Sequence, residues 1–228
     1  MLSLNINSGE KPVRILCLGA HCDDIEIGCG GTLLSMRAQM RQVEFHWVIF
    51  TSGQDRVTEA RRAAELIAGD DVVFEVHDFP NGHLPYHGSE VKQRFEDIKS
   101  RLNPDIIFTH HTLDIHQDHK CIGELTWSTF RDHLIFEYEI PKYDGDLVAP
   151  NTFFPISEQV VQEKVRIILS TFRSQADQQW FDEDTFRGLM RIRGVEANSP
   201  TRFAEGFHCR KLLIATMATS YSRIKLEN

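Results

Sequence analysis

The chain has 228 residues and a mass of 26.3 kDa, enough for one α/β domain that hides about 70% of its unfolded surface without disulfide staples. A net charge of −8 and a pI near 5.7 set it against a polyanionic partner such as nucleic acid. No apolar run approaches the ~20 residues that span a bilayer, which excludes an integral membrane segment. The five cysteines, Cys17, Cys22, Cys29, Cys121 and Cys209, form no C-x-x-C pair, which argues against a disulfide framework and for a reducing compartment. The opening MLSLNINSGEKPVR lacks an apolar core of the kind that directs export, so the expected location is the cytoplasm.

Along the chain, strand-like and helix-like segments alternate. Val13 to Leu18 reads as a buried strand, followed by a glycine-rich turn and a helix over Thr32 to Met40. Val43 to Thr51 is a second strand and Thr58 to Ala68 a helix stopped by Gly69. Asp71 to Phe79 is a third strand, broken by Pro80, Asn81 and Gly82, and Ser89 to Leu102 a helix that Ser89 should cap. Ile106 to Thr109, a helix from His119 to Phe130, and Leu134 to Ile140 continue the pattern. Pro141 to Pro155 reads as a long surface excursion before a helix over Ser157 to Phe172; a short helix near Thr185 to Arg191 and β-like segments at Arg202 to Phe207 and Lys211 to Ala215 follow. The expected fold is therefore α/β, a Rossmann-like, doubly wound, mostly parallel sheet of order about 3-2-1-4-5 with helices on both faces. Residues 1–228 read as a single domain in which 141–228 contribute the rim of a substrate site.

Two polar clusters each follow a predicted buried strand: Ala20-His21-Cys22-Asp23-Asp24-Ile25-Glu26 after the first, and His110-His111-Thr112-Leu113-Asp114-Ile115-His116-Gln117-Asp118-His119 after the fourth. In the expected strand order these two strands are neighbours and their following loops diverge to opposite faces, opening the crevice where such sheets bind ligands. Topology thus brings His21, Asp23 and Asp24 up to His116, Asp118 and His119. Adjacent aspartates at a crevice floor repel and are costly to desolvate unless a cation neutralises them. The i, i+3 spacings of His21 with Asp24 and of His116 with His119 let two side chains of one turn meet a common point. Nitrogen and oxygen ligands with one open position are the pattern of a catalytic zinc site, where acidified water attacks a polarised carbonyl.

The run His21-Cys22-Asp23-Asp24-Ile25-Glu26-Ile27-Gly28-Cys29-Gly30-Gly31-Thr32-Leu33, with His116-Gln117-Asp118-His119, resembles the PIG-L/LmbE family of zinc-dependent N-deacetylases. Arg56-x-x-Glu59-x-x-x-Ala63-Ala64, Phe79-Pro80-Asn81-Gly82 and Phe203-Ala204-Glu205-Gly206-Phe207 resemble its later motifs in the same order. The resemblance implies that His21, Asp24 and His119 ligate Zn2+, or another divalent metal such as Fe2+. It implies that Asp23 is the general base, and that His116 stabilises the oxyanion and helps protonate the leaving amine. Asp118 would fix the tautomer of His116, and Arg56 would contact substrate. Cys22 stands where the family commonly has proline and reads as a packing residue.

The implied reaction removes the N-acetyl group of an acetamido sugar, such as an N-acetylglucosamine-type residue in a glycoconjugate, glycolipid precursor or sugar nucleotide. A metal-dependent phosphoesterase and a non-catalytic nucleotide- or sugar-binding module are the alternatives. Glu59 and Glu205 would orient Arg56 or sugar hydroxyls, or else be ordinary surface charges. His83 and His87 lie in a loop at the same sheet edge, where solvent-facing histidines are the simpler reading. Arg191 and Arg193 could bind phosphate, although a solvated helix end accounts for them as well. Trp47 and Trp127 read as core, while Trp180 could stack on a sugar. Assembly into a homo-oligomer stays open.

Overall fold

The computed structural model describes residues 3–6 and 11–214. Its centre is one seven-stranded sheet of order β3-β2-β1-β4-β5-β7-β6. Strands β1 (Val13–Gly19), β2 (Val43–Thr51), β3 (Val73–Phe79), β4 (Ile106–His110) and β5 (Leu134–Tyr138) run parallel in the expected order 3-2-1-4-5. Beyond β5 the sheet is extended by β7 (Phe203–His208) and, at the edge, β6 (Thr152–Ile156), both paired antiparallel.

The parallel strands are continuous apolar runs because both faces are covered. One face carries α1 (Asp24–Gln39), α2 (Gln54–Ala68), α5 (Glu158–Thr171) and α6 (Glu183–Glu196), packed over Ile15, Cys17, Trp47 and Phe108. The other carries α3 (Gly88–Arg101) and α4 (Gln117–Thr129) over Leu16, Leu18, Phe50 and Ile107. No helix among the described residues is long and apolar enough to cross a membrane.

The structure corrects four local expectations. First, the glycine-rich segment after β1 is not a turn: α1 already begins at Asp24, so Gly28, Gly30 and Gly31 lie inside the helix. Their service is close packing. A Cβ on Gly28 would fall 2.3 Å from Tyr138 Cδ2, and one on Gly31 2.9 Å from Glu205 Oε1. Second, β6 begins within the expected surface excursion and ends one residue beyond it. Pro155 masked it, yet proline is tolerated on an edge strand, where its missing N–H faces outward. Phe154 packs there on Phe108, Phe136 and Phe207. Third, α3 starts at Gly88 after a 3-10 turn over Leu84–His87, and Ser89 does not cap it. Fourth, Lys211–Ile214 form no strand; Ala215 lies outside the described residues.

Candidate metal centre and active site

α1 leaves the carboxyl end of β1 on one face and α4 leaves that of β4 on the other, so two helix N-termini flank one crevice. Asp23 is the residue preceding α1 and His116 the residue preceding α4. His21, Asp23, Asp24, Asp118 and His119 are all buried, and His116 is half-buried.

His21 Nδ1 lies 3.1 Å from His119 Nε2 and 3.3 Å from Asp24 Oδ2, and His119 Nε2 lies 3.4 Å from Asp24 Oδ1. The far nitrogens are held by carboxylates: His21 Nε2 donates to Asp118 Oδ2 at 3.2 Å, and His119 Nδ1 to Asp114 Oδ2 at 2.9 Å. With the protons there, the lone pairs of His21 Nδ1 and His119 Nε2 face each other. Two acceptor nitrogens in contact beside a carboxylate are reconciled by a cation between them or, in its absence, by a second proton on His21. Ligands ~2.0–2.1 Å from a tetrahedral zinc stand about 3.3–3.4 Å apart, so the spacing of this donor set suits such an ion. Paired imidazoles with one carboxylate also suit ferrous iron.

Metal-competent clusters among the described residues are His21, His116 and His119, and Asp24, His110 and His119. They share His119 and so describe one centre; the set implied by the resemblance takes two members from the first and two from the second. His110 is already engaged, its Nε2 lying 3.0 Å from Asp24 Oδ2 and 3.2 Å from Tyr138 Oη.

Without a cation the charges lean on one another. Burial lowers the His21 imidazolium, but Asp24, Asp118 and Asp23 overcome it and raise its pKa to about 10. Burial raises the Asp24 carboxyl, while His119, His110 and His21 hold it far below the ordinary carboxylate range. Burial lifts the Asp23 carboxyl despite Arg56. His116 is pushed down by burial and by His119 and His21, which favours the neutral ring.

Several roles implied by the resemblance meet different contacts. Asp118 holds His21, and it accepts Gly82 N–H at 2.7 Å and Leu84 N–H at 3.0 Å. Its carboxylate makes no hydrogen bond to His116; instead the Asp118 backbone N–H donates to His116 Nδ1 at 3.3 Å. The Pro80-Asn81-Gly82 segment thus has a purpose: Gly82, at φ 78, turns the chain so that its N–H reaches Asp118. Arg56 enters the crevice from the first turn of α2 and donates through Nη2 to Asp23 Oδ1 at 2.6 Å. Glu59 does not orient Arg56: it turns away and accepts from Ser174 N and Oγ at 3.0 and 2.6 Å.

The remaining candidates make contacts within the fold. Glu205 is buried and accepts from Gly31 N, Thr32 N and Lys164 Nζ. Arg193, expected as a solvated helix end, is buried and paired with Glu139 at 2.7 and 2.6 Å; Arg191 donates to the Arg202 carbonyl. His83 bonds the Asn81 carbonyl, and His87 packs on Phe79. The Cys22 sulfur lies in the core, its thiol pushed by burial to about 12. Sequence reasoning missed Asp114, Tyr138, Lys142 and Asp146 as parts of the site's frame. It quoted His110 and Asp114 within the second cluster without giving either a role.

Residues 16–130 match the model of the PIG-L family, described as GlcNAc-PI de-N-acetylase. The chain belongs to the PIG-L family. Membership places it among deacetylases. The protein is 29% identical over 149 residues to the "Uncharacterized deacetylase YaiS" of Escherichia coli (strain K12), a match covering 60% of this chain and 78% of that protein. Its fold resembles N,N'-diacetylchitobiose deacetylase from Pyrococcus horikoshii, with TM-score 0.62, 19% identity and coverage of 86% and 83%. It also resembles GalB, the 4-carboxy-2-hydroxymuconate hydratase from Pseudomonas putida KT2440, with TM-score 0.71, 18% identity and coverage of 91% and 100%. A fold shared by a hydratase and a deacetylase does not itself select the reaction of a PIG-L family member.

Proposed function

We propose that the protein is a metal-dependent N-deacetylase that removes the acetyl group from an acetamido sugar of N-acetylglucosamine type, releasing acetate and a free amine. One observation carries the reading: two buried imidazoles, each with its outer nitrogen held by a carboxylate, turn their inner nitrogens toward each other and toward Asp24, with Asp23 and His116 beside them. His21, Asp24 and His119 would hold Zn2+, with Fe2+ as the other ion the donor set suits. When bound, such an ion supplies Lewis acidity, acidifying water and polarising a carbonyl.

The chain's own groups do the rest. Arg56 occupies Asp23 Oδ1, leaving Oδ2 to take the proton of the attacking water. The Asp118 N–H on His116 Nδ1 puts the proton of a neutral ring on Nε2, where it can meet the carbonyl oxygen as charge develops and help deliver a proton to the departing amine. Asp118 acts on His21 in this reading, not on His116. The 141–228 segment would supply rim residues through the loop after β5, whose Lys142 reaches Asp114. Among the described residues the two metal-competent clusters overlap at His119, which favours one ion over the pair common in phosphoesterases.

Acetate release should be screened over free N-acetyl sugars, sugar nucleotides and lipid-linked sugars, with zinc-loaded, iron-loaded and chelator-treated protein. Asp23→Asn should lower kcat by about 100-fold or more, the scale of a general base; near-normal turnover removes Asp23 as the base.

A further inference from the structure

The loop after β5 carries a largely enclosed ammonium that nothing in the sequence tied to the crevice. Lys142 Nζ lies 3.0 Å from Asp114 Oδ2, and 2.7 and 2.8 Å from the two oxygens of Asp146. All three side chains are close to fully enclosed, with exposures of 12%, 4% and 9% for Lys142, Asp114 and Asp146. Asp114 is a junction: Oδ2 also receives His119 Nδ1 at 2.9 Å, and Oδ1 receives the His116 backbone N–H at 2.8 Å. Asp146 in turn accepts the Ile115 N–H at 2.9 Å. The chain His119–Asp114–Lys142–Asp146–Ile115 therefore runs from α4 and closes on the β4–α4 loop beside Asp114.

We propose that Lys142, braced by Asp146, is a positioning residue that clamps Asp114 against His119 and against the start of α4, and so holds a divalent cation's imidazole ligand in its binding tautomer and direction. The inference rests on the metal-site reading above. Two enclosed carboxylates would repel without the ammonium between them. Lys142 makes their proximity stable and leaves Asp114 with one orientation, in which it can accept from His119 Nδ1. Partners that orient a metal-ligating histidine alter affinity by about 10–100-fold when lost. Lys142 acts one bond further out, so the low end applies.

The test is zinc affinity, measured by competition with a chromophoric chelator on full-length wild type, Lys142→Met, Asp146→Asn and the distant surface control Arg166→Met, alongside thermal unfolding of each apoprotein. Lys142→Met should bind zinc about 10-fold more weakly, Asp146→Asn should weaken it in the same direction, and Arg166→Met should match wild type. With an acetamido substrate, kcat should fall more than KM rises. A Lys142→Met protein that unfolds more easily yet binds zinc as tightly as wild type has lost only a structural tie, and overturns the proposal; so does a rise in KM alone. If Lys142→Met does not fold, wild-type affinity in Asp146→Asn overturns it. Wild type that binds zinc but releases no acetate defeats the deacetylase reading while leaving this comparison intact.

Discussion

Replacing Asp118 by asparagine changes one buried carboxylate oxygen into an NH2 group at nearly constant volume. The carboxylate now accepts three donors: Gly82 N–H and His21 Nε2–H at Oδ2, and Leu84 N–H at Oδ1. An amide has one accepting oxygen, so either orientation sets its NH2 against an N–H. Facing Leu84, it leaves a buried backbone donor unsatisfied, at a cost of about 1–3 kcal/mol. Facing His21 and Gly82, it strands the Gly82 donor and drives the His21 proton to Nδ1, removing the lone pair aimed at His119 and Asp24. Denaturant unfolding of the apoprotein should show the loss of about 1–3 kcal/mol, and chelator competition a zinc affinity reduced about 10–100-fold. Unchanged metal affinity, with only the pH dependence of kcat displaced, would mean that Asp118 works on His116 as the resemblance implies, and would refute the reasoning from His21.

Gly28→Ala should destabilise the fold by about 2 kcal/mol or more in denaturant titration, because the new methyl meets a Tyr138 ring whose hydroxyl is tied to the Leu18 carbonyl at 2.6 Å; overpacking of that kind outweighs the helix-propensity gain of ~1 kcal/mol. Glu59→Ala should leave kcat and KM within about twofold and cost about 1 kcal/mol, the worth of its bonds to Ser174, whereas loss of kcat would restore Glu59 to the site. His208, stacked 3.8 Å from His111, is held by burial and by His111 at a pKa of about 4. Below the unfolded value of about 6.5 the unfolded chain takes up a proton that the native ring refuses. Stability should therefore be complete above pH ~6.5 and fall toward pH ~4, by about 1 kcal/mol after discounting for a half-exposed ring. His208→Gln should flatten that slope, and an unchanged slope would assign it to other groups.

The sequence by itself determined the five parallel strands and their order, because apolar runs of strand length alternating with helices leave few topologies. It also determined which two loops meet: His21, Asp24 and His119 are legible as a group since β1 and β4 must be neighbours in that order. The start of α1 was hidden because glycines usually signal turns, and only the Tyr138 ring and the Glu205 carboxylate pressed against them explain glycine within a helix. β6 was hidden by proline. Partner choice was decided by tertiary structure throughout. Asp118 serves His21 instead of its neighbour in the motif, Arg193 folds inward to Glu139, and Lys142 reaches Asp114 across 28 residues. Periodicity and spacing record which face a residue occupies, whereas a hydrogen bond depends on where two remote backbones stop, to within a few tenths of an ångström.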